Sequence, residues 1–205
     1  MLSKVTNGLA AGILISIGGS VYLACENKYA GAVLFSVALL CICVKGYSLF
    51  TGKIGFIPES HNREAVSVLL LGLLGNAVAT CLLGFAVSYA IPQLQPAALT
   101  ICEAKLTQLP LQTLIRACLC GVLMYLAVSI YRDHRQIAGI VFCVPVFILS
   151  GFEHSIANIF YFAASGIVSL RAFGYLWLVI LGNAVGGMLL PCLRMIGKGR
   201  EKNAS

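Results

Sequence analysis

The chain has 205 residues, of which 60% are hydrophobic and only 10% charged, with a formal net charge of +7. A soluble domain of this length needs far more charge to cover its surface, so the composition excludes one. The basic excess falls mostly between apolar blocks on one predicted side of a membrane, which removes it as a sign of nucleic-acid binding.

A hydrocarbon core of about 30 Å takes roughly 20 apolar residues in a helix to cross. Six stretches reach that length, at about 8–25, 29–50, 65–91, 110–131, 137–162 and 174–196. Little chain is left over for a separate catalytic domain, so residues 1–205 read as one transmembrane domain. The first stretch opens at Asn7 after Lys4 and is expected to stay as a helix, since no Ala-x-Ala-like cleavage site precedes the later spans. Six spans put both termini on one side. Lys4, Lys53, Arg63, Arg132, Arg135, Arg194, Lys198, Arg200 and Lys202 fall there, against Lys28, Lys105 and Arg171 opposite. Both ends are therefore expected in the cytoplasm. The basic tail is expected to lie on anionic lipid. Lys45 and Arg116 lie within spans.

The third span carries Leu71-Gly72-Leu73-Leu74-Gly75-Asn76-Ala77-Val78, and the sixth carries Leu178-Val179-Ile180-Leu181-Gly182-Asn183-Ala184-Val185. The shared L-x-x-L-G-N-A-V pattern implies two halves, about 1–95 and 96–205, of three spans each. An odd number of spans per half inserts the second half upside down. The span before each repeat is interrupted, by Lys45-Gly46-Tyr47-Ser48 in span two and by Ser150-Gly151-Phe152-Glu153-His154-Ser155 in span five. Unwound backbone inside a membrane is tolerated only around a cavity, and half-helix N-termini there suit an anion. The Gly72/Gly75/Asn76 and Gly182/Asn183/Gly186 faces are expected to pack helix on helix.

Glu153 and His154 are ionisable groups deep in a span, where such groups line a pathway or pair with one another. Against a direct role for Glu153 stands repulsion of an anionic cargo, so neutralisation of Arg116 or Lys45 competes equally. His154 has the stronger functional reading, because an imidazole donates a hydrogen bond and titrates near physiological pH. It could become an imidazolium as an anion arrives, or pass a proton so that a neutral acid crosses. Thr51 offers a hydroxyl at the matching break, in competition with a bond to its own helix. Leu39, Phe50 and Phe147 are apolar and near the breaks, suited to packing or to constrictions that exclude water. Lys105 reads as a solvated residue of the external loop between spans three and four.

Ser150-Gly151-Phe152-Glu153-His154-Ser155-Ile156-Ala157-Asn158 is very similar to the signature of the formate/nitrite transporter family. Leu49-Phe50-Thr51-Gly52 resembles the family's second-span break, and the Gly-Asn pairs of spans three and six also match. The resemblance implies an all-α protein of six transmembrane helices in two inverted three-helix repeats. It also implies an aquaporin-like protomer with helices two and five broken, and a homopentamer in a bacterial inner membrane with one pore per protomer. It makes His154 the central pore histidine, Thr51 the threonine facing it, and Leu39, Phe50 and Phe147 the constrictions. Lys105 becomes the lysine that draws anions to the pore. Glu153, Asn158, Asn76 and Asn183 are expected to support the path. Two positions depart from the family pattern, Gly121 where Asn is frequent and Lys45 as an additional cation. Formate, nitrite and hydrosulfide all remain open as cargo, with a lean from Leu49 to Gly55 toward formate or hydrosulfide.

An aquaporin-like channel for neutral solutes is the alternative, but no Asn-Pro-Ala repeat occurs. An enzyme would need a convergent catalytic set, and three histidines, two of them (His61 and His134) in or near loops, are too few. A transporter with rocking halves would share the repeats. The nine cysteines include the C-x-C pairs Cys41/Cys43 and Cys118/Cys120, but no ligands gather near both, so neither a metal nor another cofactor is expected.

Overall fold

A computed structural model describes residues 1–60 and 62–204, with side chains to residue 197. His61 and the side chains of Lys198, Arg200 and Lys202 lie outside the described residues. The described residues contain helices and turns and no strand. The helices are α1 (Leu2–Ala24), α2 (Lys28–Lys45), α3 (Phe50–Lys53), α4 (Ile57–Ser60), α5 (Arg63–Ala90), α6 (Gln95–Leu106), α7 (Pro110–His134), α8 (Ala138–Leu149), α9 (Ser155–Ser165) and α10 (Leu170–Ala204). Five of them are long and apolar enough to cross a membrane: α1, α2, α5, α7 and the Leu170–Gly197 part of α10. The apolar helices α8 and α9 are shorter.

Small residues decide which helices meet. A Cβ on Gly12 would lie 2.8 Å from the Asn76 carbonyl oxygen, and one on Gly75 would lie 2.7 Å from the Leu9 nitrogen. The backbones of α1 and α5 therefore touch, which only glycine permits. On α7 and α10, a Cβ on Gly121 would lie 2.7 Å from the Gly187 nitrogen, and Gly186 presses on the Cys118 backbone. Gly121 is thus a helix–helix contact point, and an Asn there would have no space. The small faces around Asn76 and Asn183 pack helix on helix as the sequence implies.

Two interruptions end in the same way. At the close of α2, the Gly46 N–H bonds to the Cys43 carbonyl and the Tyr47 N–H to the Ile42 carbonyl, at 3.3 and 3.0 Å. At the close of α8, the Gly151 N–H bonds to Ile148 and the Phe152 N–H to Phe147, at 3.1 and 2.9 Å. Gly46 and Gly151 take φ of 73° and 68°, the left-handed conformation that this termination requires. Each segment then runs extended for a few residues before α3 or α9 begins. Lys45 is exposed in the last turn of α2, where a cation complements the helix dipole.

Candidate functional site

Each interruption is tied down by one fully buried asparagine. Asn76 on α5 donates to the Gly8 and Ser48 carbonyls at 2.8 and 2.9 Å, and its Oδ1 accepts the Phe50 N–H at 2.9 Å. Asn183 on α10 donates to the Ala117 and Glu153 carbonyls at 2.8 and 2.7 Å, and its Oδ1 accepts the Ser155 N–H at 2.8 Å. Both side chains are 0% exposed and bond only to backbone. They satisfy groups that unwinding would otherwise leave bare at depth, at a cost of several kcal/mol. Asn76 and Asn183 thereby position the residues at the starts of α3 and α9.

Those starts bring Thr51 and His154 together. Residues 103 apart in sequence, they meet with Thr51 Oγ1 2.9 Å from His154 Nε2, both buried. His154 is the N-cap of α9, and its Nδ1 accepts the Ala157 N–H at 3.1 Å. A ring nitrogen that accepts carries no hydrogen, so the neutral ring has its proton on Nε2 and donates it to Thr51. The imidazole also stacks on Phe147, centroid to centroid 5.5 Å.

Glu153 is 1% exposed and paired with Lys105, whose side chain is 14% exposed. Gln108 Nε2 donates to Glu153 Oε1 at 2.8 Å, and Asn158 Nδ2 to Oε2 at 2.9 Å. This corrects two expectations. Lys105 is no solvated loop residue but sits in the last turn of α6, turned inward onto the carboxylate. The partner of Glu153 is Lys105, not Arg116 or Lys45, because α6 packs beside α9 and a buried carboxylate requires a close cation. Nothing in the sequence points to Gln108, which stands 45 residues from Glu153 and carries no local pattern. Replacing Lys105 with Met strands a buried charge, so we expect about 3–5 kcal/mol of lost stability. A melting temperature in mild detergent should fall at high and low salt alike, since a buried pair is weakly screened. A drop confined to low salt would return Lys105 to a solvated role.

Two cavities flank this centre. One, of about 270 Å³, is lined by Phe35, Lys105, Gln108, Arg116, Phe147, Glu153 and His154, among others. The other, of about 490 Å³, is lined by Leu39, Leu49, Lys53, Val128, Arg132 and Arg135, among others. They lie toward opposite ends of the same helices. Arg116 and Val128 are about 18 Å apart along α7, while Phe35 and Leu39 are one turn, about 6 Å, apart on α2. Phe147 borders the first cavity and Leu39 the second; Phe50 lines neither and is 5% exposed, its N–H held by Asn76. Lys45 borders neither cavity. Among the described residues no cluster of side chains could hold a metal ion.

A bundle of apolar helices with buried polar groups at two interruptions, and a cavity on either side, defines a multi-pass membrane protein. A family model described as formate/nitrite transporter matches residues 1–196, and the chain belongs to that family. It is 28% identical over 201 residues to the nitrite transporter NirC of Escherichia coli (strain K12), covering 88% of this chain and 74% of that one. It is 26% identical over 217 residues to the uncharacterized transporter YwcJ of Bacillus subtilis (strain 168), covering 91% and 85%. Among solved structures it resembles an FNT family ion channel, with a TM-score of 0.82, 24% identity, and 92% and 87% of the two chains covered. It also resembles a pentameric formate channel with formate bound, with a TM-score of 0.78, 24% identity, and 95% of each chain covered.

Proposed function

We propose that the protein is a channel for small monovalent anions of weak acids, namely formate, nitrite or hydrosulfide, across the bacterial cytoplasmic membrane. The observation that carries this reading is the pair of cation-bearing cavities toward opposite ends of the same helices, one bordered by Phe147 and the other by Leu39, with the Thr51–His154 pair buried in the bundle. Family membership and the names of the relatives agree with it. The matched terminations at Gly46 and Gly151, and the matched bonds of Asn76 and Asn183, support two inverted halves. In that arrangement α2 with α3, and α8 with α9, each make one broken span, bringing the total to six. A cytoplasmic side carrying Lys53, Arg132 and Arg135 follows from their excess over the opposite loops.

Within this channel Thr51 and His154 form a fixed polar rung, and Leu39 and Phe147 exclude water on either side of it. Phe50 acts from behind, as packing. Protonating the ring would turn Nδ1 into a donor facing the Ala157 N–H, opening the cap of α9 and leaving a cation among apolar side chains. His154 therefore serves as a neutral donor to Thr51, which leaves the Thr51 hydroxyl hydrogen for the cargo, and proton-coupled passage rests with the cargo crossing as its conjugate acid. Uptake should rise as external pH falls, because more of a weak acid is then neutral. Uptake of formate, nitrite and hydrosulfide into liposomes across pH tests this; flux of water or glycerol without anion flux would favour the neutral-solute alternative.

The exposed apolar faces, including Val33 and Val37 of α2 and Leu70 and Leu74 of α5, are lipid or subunit surfaces. We expect five copies to associate through part of them. Native mass spectrometry in mild detergent should give a pentamer; a monomer there and under crosslinking would end the proposal.

A further inference from the structure

Within this channel reading, we infer that Arg116 is the residue that receives the anion in the His154-side cavity, and that its guanidinium favours cargo with two oxygens on one atom. Lys105 is the expected candidate for this task, but its charge is spent on Glu153. Arg116 lines the same cavity with no carboxylate within 4.0 Å among the described residues. With Lys105 and Glu153 offsetting each other, it holds the cavity's net positive charge.

Position reinforces this. Arg116 lies six residues into α7, about 9 Å along the helix from Pro110. Its carbonyl accepts the Glu153 N–H at 3.3 Å, which places it level with the interruption. A Cβ built on Gly151 would lie 4.0 Å from Arg116 Nη1, so the guanidinium reaches over the bare backbone of that turn. An arginine at such depth is costly unless it faces water or an anion, and here it is exposed in the protomer and borders a cavity that His154 also lines.

Being arginine adds selectivity. A guanidinium presents paired N–H donors in a plane, matched to the two oxygens of a carboxylate or of nitrite, whereas an ammonium acts as a point charge. Formate and nitrite can take both bonds; hydrosulfide and chloride cannot.

Three purified proteins in liposomes test the inference: wild type, Arg116→Gln and Arg116→Lys. At low salt and subsaturating anion, Arg116→Gln should lower formate and nitrite uptake about three- to fivefold, the scale of one partly solvated ion pair. Arg116→Lys should lower formate and nitrite about threefold yet keep hydrosulfide within about twofold of wild type, as expected for a charge kept and a fork lost. Equal losses for all three anions in Arg116→Lys would overturn the selectivity, and unchanged uptake in Arg116→Gln would leave a solvated side chain. Phenylglyoxal modification of Arg116, followed by peptide mass, gives a readout without transport. Formate should slow it relative to chloride at equal ionic strength. Slowed labelling in a protein that carries no anion would keep the receiving site and remove the channel reading; conduction without slowed labelling would do the reverse.

Discussion

His154→Phe is expected to lower formate uptake into liposomes by about a hundredfold, while His154→Asn stays within about tenfold of wild type. Phenylalanine keeps the stack on Phe147 but supplies neither ring nitrogen. The cap on Ala157 is lost, worth about 1 kcal/mol, and the Thr51 hydroxyl is left buried without its partner, at about 1–3 kcal/mol. These losses are small enough for the protein to remain assembled. The cargo loses more, because a solute stripped of water between Leu39 and Phe147 would meet a Thr51 hydroxyl that the ring no longer orients. A deficit of roughly 3 kcal/mol at the barrier is about two powers of ten in rate. Asparagine is a good N-cap: its carbonyl can accept from Ala157 while its amide still donates toward Thr51. Since the proton travels with the cargo, the Asn variant, whose amide does not titrate, should also keep the rise of uptake with falling external pH. Normal flux with a flat pH profile in His154→Asn would show that the ring itself relays the proton. Wild-type flux and profile in His154→Phe would reduce His154 to a buried core residue.

Asn183→Leu is expected to prevent recovery of folded protein, and Asn76→Leu to do nearly the same. Leucine has a similar volume, so the change is chiefly one of bonding. In Asn183→Leu the Ser155 N–H and the Ala117 and Glu153 carbonyls lose a buried partner together. The Ala117 carbonyl, inside α7, keeps its helical partner, and at about 1–3 kcal/mol for each of the two groups left stranded the total takes a large part of the stability of a typical domain, about 5–15 kcal/mol. The loss also falls where it matters for transport, because Asn183 holds the first N–H of α9 and hence the aim of His154. Size-exclusion profiles and thermal melts in detergent should show aggregation, or a melting temperature lower by well over 10 °C. A Leu variant that melts like wild type would mean that water replaces the amide, and that the asparagine is not what holds the interruption.

Much of this protein can be read from residue order because membrane insertion is governed by local chemistry. Long apolar stretches, the Lys and Arg bias and the paired L-x-x-L-G-N-A-V patterns are properties of contiguous chain. So is the Gly-containing turn before Glu153-His154, since a left-handed termination needs a glycine at a definite place. These features identify a multi-pass helical protein and direct attention to Thr51, His154, Asn76 and Asn183. The tertiary structure decided the pairings. Lys105 has loop-like surroundings in the sequence, yet the packing of α6 beside α9 carries it to Glu153, 48 residues away, together with Gln108. Phe50 stands beside Thr51 in sequence but turns away from both cavities, because the N-terminus of α3 is held by Asn76. Gly121 takes its meaning from α10, whose backbone presses on it. Which cation answers which carboxylate, and which apolar ring borders water, depend on distances of a few ångströms between segments far apart in the chain. Periodicity and composition describe one segment at a time and carry no such distances.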